Sequence, residues 1–129
     1  MKLTANFSKS EFECRCGCEM PKGVYNNVVK LANQLQILRN KVNAPIKINS
    51  AYRCPEHNAK QPGSSVKSQH LFGRAADIVV KDYKPNETAD IIEELIKNGE
   101  YLQGGLGRYN SFTHTDIRKT AARWNYSDE

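Results

Sequence analysis

Apolar residues recur at alternating steps of three and four between positions 24 and 42, which predicts an amphipathic helix. Pro21 precedes this stripe, and Asn43-Ala44-Pro45 supplies the residues that commonly end a helix. A single apolar stripe is the face that a helix packs against a hydrophobic core, so we interpret it as structural. Its members are Val24, Val28, Leu31, Leu35, Leu38 and Val42.

Four other segments have the character of strands. Residues 46–52 alternate between apolar and polar side chains, which is typical of a half-buried strand. Residues 75–80 end in a continuous apolar run, as a buried strand does. The glycine-rich residues 103–108 predict a strand or bulge, and residues 112–118 predict a final strand.

Helical signals flank these strands. A second long helix is predicted from Pro85 to Asn98-Gly99, because proline favours a helix start and glycine a helix end. Ser8 and Glu11 have the spacing of a capping box, which predicts a short helical turn near the N-terminus. Residues 53–58 predict a loop or short helical turn, and residues 61–67 a mobile loop.

The order of these elements predicts the fold class. Helices and strands are not in strict alternation, so the pattern favours an α+β protein with a small antiparallel sheet flanked by helices. The 129 residues are sufficient for one compact domain and too few for two of ordinary size. We therefore expect a single domain over residues 1–129.

Charge and hydropathy narrow the classes of function. The net charge is +5, which suits a polyanionic neighbour, but no run of Lys and Arg exceeds two residues. We read the excess as ordinary surface charge and expect no nucleic-acid partner. No apolar run reaches the roughly 20 residues that span a bilayer, so membrane insertion is not expected. The N-terminal residues lack a signal-peptide core, which predicts synthesis in a cytoplasm and release by other means.

Three of the four cysteines lie within five residues: Cys14, Cys16 and Cys18. This spacing differs from the usual Cys-x2-Cys of small zinc sites. Three interpretations stay open at this point. The cysteines are reduced thiols, or they form a disulfide after release, or they hold a structural zinc ion with Cys54 as the fourth ligand.

The chemistry-bearing residues fall in two short segments. His70 and Asp77 flank Gly73, and a glycine allows the tight reversal that brings the two side chains together. In the predicted strand over 112–118, His114 and Asp116 share one face, because side chains alternate sides with a period of two. Two imidazoles and one carboxylate form a typical three-ligand site for a catalytic zinc ion, with the fourth position left to water.

Each of these residues also has a purely structural interpretation. His70 can be a loop histidine, Asp77 a cap at a strand start, and His114 with Asp116 a hydrogen-bonded pair. The third histidine, His57, lies in a polar turn and is interpreted as a surface or rim residue rather than a ligand. The ligand number, the ligand types and their placement beside apolar strands favour the metal site when they are taken together.

The chain resembles the zinc D-alanyl-D-alanine carboxypeptidase family of peptidases, in particular its short single-domain forms from phages and bacterial mobile elements. Four segments carry the resemblance and together span almost the whole chain. They are residues 7–12 with the following Cys/Gly run, residues 50–54, residues 68–77 and residues 112–118. The pattern Ser-x-His-x2-Gly-x-Ala-x-Asp is present in full over residues 68–77, and it is the most specific of the four.

The resemblance implies that zinc is held by His70, Asp77 and His114 and that Arg53 faces the substrate. It also implies a carboxylate acid/base, for which Asp116 is the best match. Several such enzymes place that base three residues before the last zinc histidine, where this chain has Ser111. Asp116 is therefore either the base or a residue that orients His114.

The implied activity is hydrolysis of peptide bonds in peptidoglycan, in its stem or cross-bridge peptides, by a zinc-bound water. Such an enzyme is expected to act as a monomer on the cell wall, as an endolysin or carboxypeptidase, or to be part of a virion. Two alternatives have other signatures. A non-catalytic zinc-binding or wall-binding module on the same fold would bind without cleaving, and a nucleic-acid-binding protein would hold zinc only with its cysteines.

Overall fold

The computed structural model of the protein describes residues 1–61 and 68–128. In these residues the α-helices are α1 (Lys22–Val42), α2 (Pro55–Ala59) and α3 (Pro85–Lys97), and short 3₁₀ helices cover Lys9–Phe12 and Gln69–Phe72. The strands are β1 (Ile46–Ser50), β2 (Ala75–Val80), β3 (Gly105–Arg108), β4 (Thr113–Asp116) and β5 (Ala122–Asn125). Most of the loop predicted over 61–67 lies outside the described residues.

The described strands form one sheet in the order β1-β2-β4-β3-β5. The pairs β1–β2, β2–β4 and β3–β4 are antiparallel, whereas β5 pairs with β3 in parallel at the edge. The α+β class is therefore confirmed, and the sheet is mixed rather than wholly antiparallel. Strand β5 was not predicted, because its four residues alternate only between half-buried and exposed positions and form no apolar run.

Helix α1 confirms the apolar stripe. Five of the six predicted positions are buried, and Val24 packs at the margin of the core. The helix ends where the sequence predicts, because Asn43 adopts a left-handed conformation (φ 50°) that closes the last turn. The same core receives Ala89, Ile92 and Leu95 from α3 and apolar side chains of β1 and β2.

The N-terminal turn and strand β1 meet close to the sheet edge. The predicted capping box is present, and the Ser8 amide donates to Glu11 Oε2 at 2.7 Å. Strand β1 ends at Ser50 rather than continuing to residue 52, because the register with β2 shifts between Ile48 and Ser50. Beyond this irregularity the Tyr52 amide donates to the Phe12 carbonyl oxygen at 3.1 Å, which ties the segment to the N-terminal turn.

One row of residues crosses the whole sheet on a single face. Ser50 pairs with Asp77, Asp77 with His114, His114 with Gly107, and Gly107 with Trp124. Directly paired residues in a sheet place their side chains side by side. The topology therefore brings side chains from distant parts of the chain together on one face.

No helix in the described part of the chain is both long enough and apolar enough to cross a membrane.

Gly73 lies between His70 and strand β2 and has a φ of +70°. A Cβ atom at this position would lie 2.7 Å from Val24 Cγ1 and 2.9 Å from the Val24 carbonyl oxygen. We expect Gly73→Ala to destabilise the protein by about 2–4 kcal/mol, since backbone strain and overpacking each cost about 1–3 kcal/mol. Urea denaturation monitored by circular dichroism measures the change.

Gly99→Ala is the matched control for this substitution. Gly99 also has a positive φ (+75°), but a Cβ atom there meets no atom within 4 Å. The Gly99→Ala substitution should lower the free energy of unfolding only by the backbone strain, about 1 kcal/mol. Equal losses in the two variants would show that the contact between residue 73 and helix α1 is unimportant.

Candidate metal centre

His70, Asp77 and His114 lie together as the sequence predicts, and all three are buried. One ligand atom from each residue lies within 4.8 Å of the other two. His70 Nε2 is 3.3 Å from Asp77 Oδ2, and His114 Nδ1 is 3.0 Å from Asp77 Oδ1. A tetrahedral zinc ion with ordinary Zn–N and Zn–O bonds separates neighbouring ligand atoms by about 3.4 Å. The three side chains therefore have the spacing of a preformed zinc site.

His70 is positioned by its short 3₁₀ helix. The Ser68 hydroxyl caps the helix by accepting from the His70 amide at 3.2 Å, and left-handed Gly73 ends it. The ring is oriented by a hydrogen bond of 2.7 Å between Nδ1 and the Ala51 carbonyl oxygen. Because a carbonyl oxygen only accepts, we assign the ring proton to Nδ1, and Nε2 presents its lone pair to the space beside Asp77.

His114 is oriented in the opposite sense. Its Nε2 lies 2.8 Å from Asp116 Oδ2, and its Nδ1 faces Asp77. A proton held on Nε2 by Asp116 leaves the lone pair of Nδ1 available as a metal ligand. The centroids of the Trp124 and His114 rings lie 4.9 Å apart, and this packing limits the movement of the imidazole. The two histidines thus present different nitrogens to one carboxylate, and the donor set fits zinc.

The charged groups alter one another's proton affinity. Burial raises the pKa of Asp77, but its polar contacts with His114 and His70 outweigh burial and hold this pKa well below its usual value. Burial lowers the pKa of His114, but hydrogen bonds to Asp116 and Asp77 outweigh this and raise the pKa above its ordinary value. Asp77 is therefore an anion at neutral pH, and a metal ion must compete with a proton for His114.

Asp116 has no free carboxylate oxygen facing the ligands. Its Oδ1 accepts from the Gly105 amide at 2.8 Å and from the Arg118 amide at 3.1 Å. Its Oδ2 accepts from Arg118 Nη2 at 2.7 Å and contacts His114 Nε2. Burial raises its pKa, but hydrogen bonds from His114 and Arg118 outweigh burial and keep the pKa well below the usual value. Asp116 is thus a buried, fully bonded anion.

Arg53 lies on the other side of Asp77. Its guanidinium donates to Asp77 Oδ2 at 3.2 Å, to Asn58 Oδ1 at 3.2 Å and to Ser50 Oγ at 3.1 Å. An arginine carries five N–H donors, so within residues 1–61 and 68–128 these three bonds leave two for another acceptor. The Arg53 amide also donates to the His70 carbonyl oxygen at 3.0 Å, which couples its backbone to the ligand helix.

Tyr109 was missed by the sequence analysis. Its hydroxyl accepts from Trp124 Nε1 at 2.9 Å. The negative charge of Asp77 raises the pKa of this hydroxyl, and the positive charge of Arg53 lowers it. Burial is the main cause that raises the pKa of Tyr109, so the hydroxyl keeps its proton at neutral pH. No motif marks this tyrosine, because it lies between strands and reaches the site through Trp124 of the unpredicted strand β5.

His57 does not join this group. It is half-buried and lies in α2, where one ring nitrogen is within 4.8 Å of the sulfur atoms of Cys14 and Cys16. Its Nε2 is 3.4 Å from Gln61 Nε2. This half-buried place agrees with the expected surface or rim position, and it lies next to the cysteines.

Comparison with known proteins gives the family. The family model described as Peptidase M15 matches residues 5–116. The chain therefore belongs to the M15 peptidase family, whose members are zinc-dependent metallopeptidases. The matched region contains His70, Asp77 and His114. No curated protein matches the chain.

We expect each of the substitutions His70→Ala, Asp77→Ala and His114→Ala to remove one zinc equivalent per chain relative to the wild type. Each deletes one of three ligands, and two remaining ligands hold zinc far more weakly. Elemental analysis of protein purified with excess zinc and then desalted measures the loss. Asp90→Ala is the control, because the Asp90 side chain is 72% exposed and pairs only with Arg108 in the described structure. Unchanged zinc in the three ligand variants would show that the site is misassigned.

Proposed function

We propose that the protein hydrolyses peptide bonds in peptidoglycan, in stem or cross-bridge peptides that contain a D-amino acid. The observation that carries the proposal is the buried His70–Asp77–His114 triad with Arg53 bonded to its carboxylate, in a chain of the M15 family. A peptidase of this specificity would act on the cell wall, as an endolysin, a wall carboxypeptidase or a virion component.

The residues around the triad fit hydrolysis of an amide. A zinc ion bound there supplies a Lewis acid and a water molecule of lowered pKa. Arg53 keeps two N–H donors, which can bind a substrate carboxylate or the oxygen on which negative charge develops. The protonated Tyr109 hydroxyl, bonded to the Trp124 indole that packs against His114, is a second donor near the triad. Both donors suit a substrate that carries a peptide carbonyl group close to a carboxylate.

For Asp116 the bonding favours the orienting role over the role of general base. A general base must reach the proton that it takes, and both Asp116 oxygens already accept hydrogen bonds inside the protein. By holding a proton on Nε2, the carboxylate keeps Nδ1 of His114 available and strengthens it as a ligand. The base role expected from the sequence stays a prediction, to be decided by experiment.

Purified protein should cleave peptidoglycan, releasing muropeptides with a new peptide end that mass spectrometry identifies. A strong chelator should abolish the cleavage, and added zinc should restore it, because hydrolysis depends on the metal. The His70→Ala variant is the negative control. Wild-type protein that binds the wall and holds zinc but releases no peptide would show a non-catalytic wall-binding module and would overturn the proposal.

Substitution of Asp116 with Asn separates its two possible roles. If Asp116 orients His114, Asp116→Asn should weaken zinc affinity by about 10–100-fold, and activity should return at saturating zinc. A chelator-competition titration and a turnover assay at several zinc concentrations measure both quantities. If turnover is lost while zinc affinity is unchanged, Asp116 is the base and the orienting role is wrong. Asp90→Asn is the control for removal of an exposed carboxylate.

A further inference from the structure

The four cysteines form one cluster, in which the sulfur atoms of Cys14 and Cys18 both lie against those of Cys16 and Cys54. Cys14, Cys16 and Cys18 lie on the loop after the first 3₁₀ helix, and Cys54 is the residue before α2. Five sulfur–sulfur distances are 3.1 Å (14–16), 3.8 Å (14–54), 3.4 Å (16–54), 3.0 Å (16–18) and 3.0 Å (18–54). A tetrahedral zinc ion with four thiolate ligands separates its sulfur atoms by about 3.8 Å.

The backbone supports sulfur atoms that carry negative charge. The Cys54 amide donates to Cys14 Sγ at 3.4 Å. Gly17 has a φ of +88°, which lets the loop turn back so that alternate side chains face the same point. Amide donors of this kind stabilise thiolates and orient them as ligands.

The geometry differs from that of a disulfide. A disulfide brings two sulfur atoms to about 2.05 Å, and it joins them in pairs. Here Cys16 and Cys54 each lie within 3.8 Å of all the other three sulfur atoms, so no pairing is singled out. All four cysteines are free thiols in the structure. A cluster in which five of the six sulfur pairs lie within 3.8 Å suits a single shared ion better than a pairwise bond.

The type of ligand also favours one class of metal. Cysteine binds metals as the thiolate. Soft thiolate ligands in a tetrahedral arrangement select zinc among the abundant divalent ions.

We infer that Cys14, Cys16, Cys18 and Cys54 bind a second zinc ion in a closed, structural four-thiolate site. This site is separate from the His70–Asp77–His114 centre, and it leaves no ligand position for water. It would join the N-terminal loop to the segment that follows β1. Cys54 adjoins Arg53, whose amide is bonded to the His70 carbonyl oxygen. The second ion would thus fix the segment that positions Arg53.

Metal content in paired variants tests the inference. Wild-type protein purified under reducing conditions with zinc and then desalted should contain two zinc ions per chain by elemental analysis. The double variant Cys16→Ser/Cys18→Ser should contain one, and so should His70→Ala/His114→Ala. Cys16 is exposed and Cys18 half-buried, so their replacement disturbs the core least. Because each pair removes a different ion, failure of this inference is distinguishable from failure of the proposed activity.

Cobalt gives a second readout that does not depend on activity. Replacement of zinc by Co²⁺ should produce an intense near-ultraviolet thiolate-to-cobalt absorption band. The band should persist in His70→Ala/His114→Ala and vanish in Cys16→Ser/Cys18→Ser. His57→Ala is the matched control, because His57 lies beside Cys14 and Cys16 but is not among the inferred ligands. Loss of the band in His57→Ala would overturn the four-thiolate set.

The wild-type protein alone keeps the inference testable if the cysteine variants do not fold. Titration with an organomercurial reagent should release one zinc ion as four thiols react, while the histidine-held ion stays bound. Two results would overturn the inference. One is a single zinc ion with four reactive thiols, which indicates an unliganded cluster. The other is fewer than four thiols in denaturant without reductant, which indicates a disulfide.

Discussion

The direct pairing of Asp77 on β2 with His114 on β4 is the constraint on which the metal centre depends. A shift of one residue in this register would move both side chains to the opposite face of the sheet. Hydrogen bonds on the opposite face of β4 stabilise the observed register. There the Thr113 hydroxyl donates to the Pro85 carbonyl oxygen at 2.8 Å, and the Thr115 hydroxyl lies 2.8 Å from the Tyr101 hydroxyl. Two buried threonines thereby stabilise the alignment of the ligands.

The charges of the site alternate in sign along a chain of contacts. Arg53 contacts Asp77, Asp77 contacts His114, His114 contacts Asp116, and Asp116 contacts Arg118. Removal of one member of a buried pair leaves an uncompensated charge and costs about 3–5 kcal/mol. The two arginine side chains, 12% and 29% exposed, are the most exposed members of this series, and the Asp116 side chain is fully buried. The anions are therefore held in place with or without a metal ion, so the site is preorganised.

Sequence patterns predicted the parts of the fold in which local and global signals agree. The apolar stripe of α1 and the apolar run of β2 are such parts, and so is the capping box at Ser8 and Glu11. The shared face of His114 and Asp116 follows from strand periodicity alone. By contrast, the partners of these side chains depend on strand register and order, which the local pattern does not contain. Trp124 and Tyr109 reach the site only because β5 pairs in parallel with β3.

The glycines of β3 explain a pattern that the sequence left ambiguous between strand and bulge. Gly105 lies beside Asp116, and a Cβ atom there would collide with its carboxylate group. Gly107 lies beside His114 and Trp124, and a Cβ atom there would collide with the indole ring. Both positions are on the face that carries the metal ligands. A larger side chain at either position would fill the space that the Asp116 carboxylate or the Trp124 indole occupies. The glycine content of β3 is thus explained by the space that the site needs rather than by a turn.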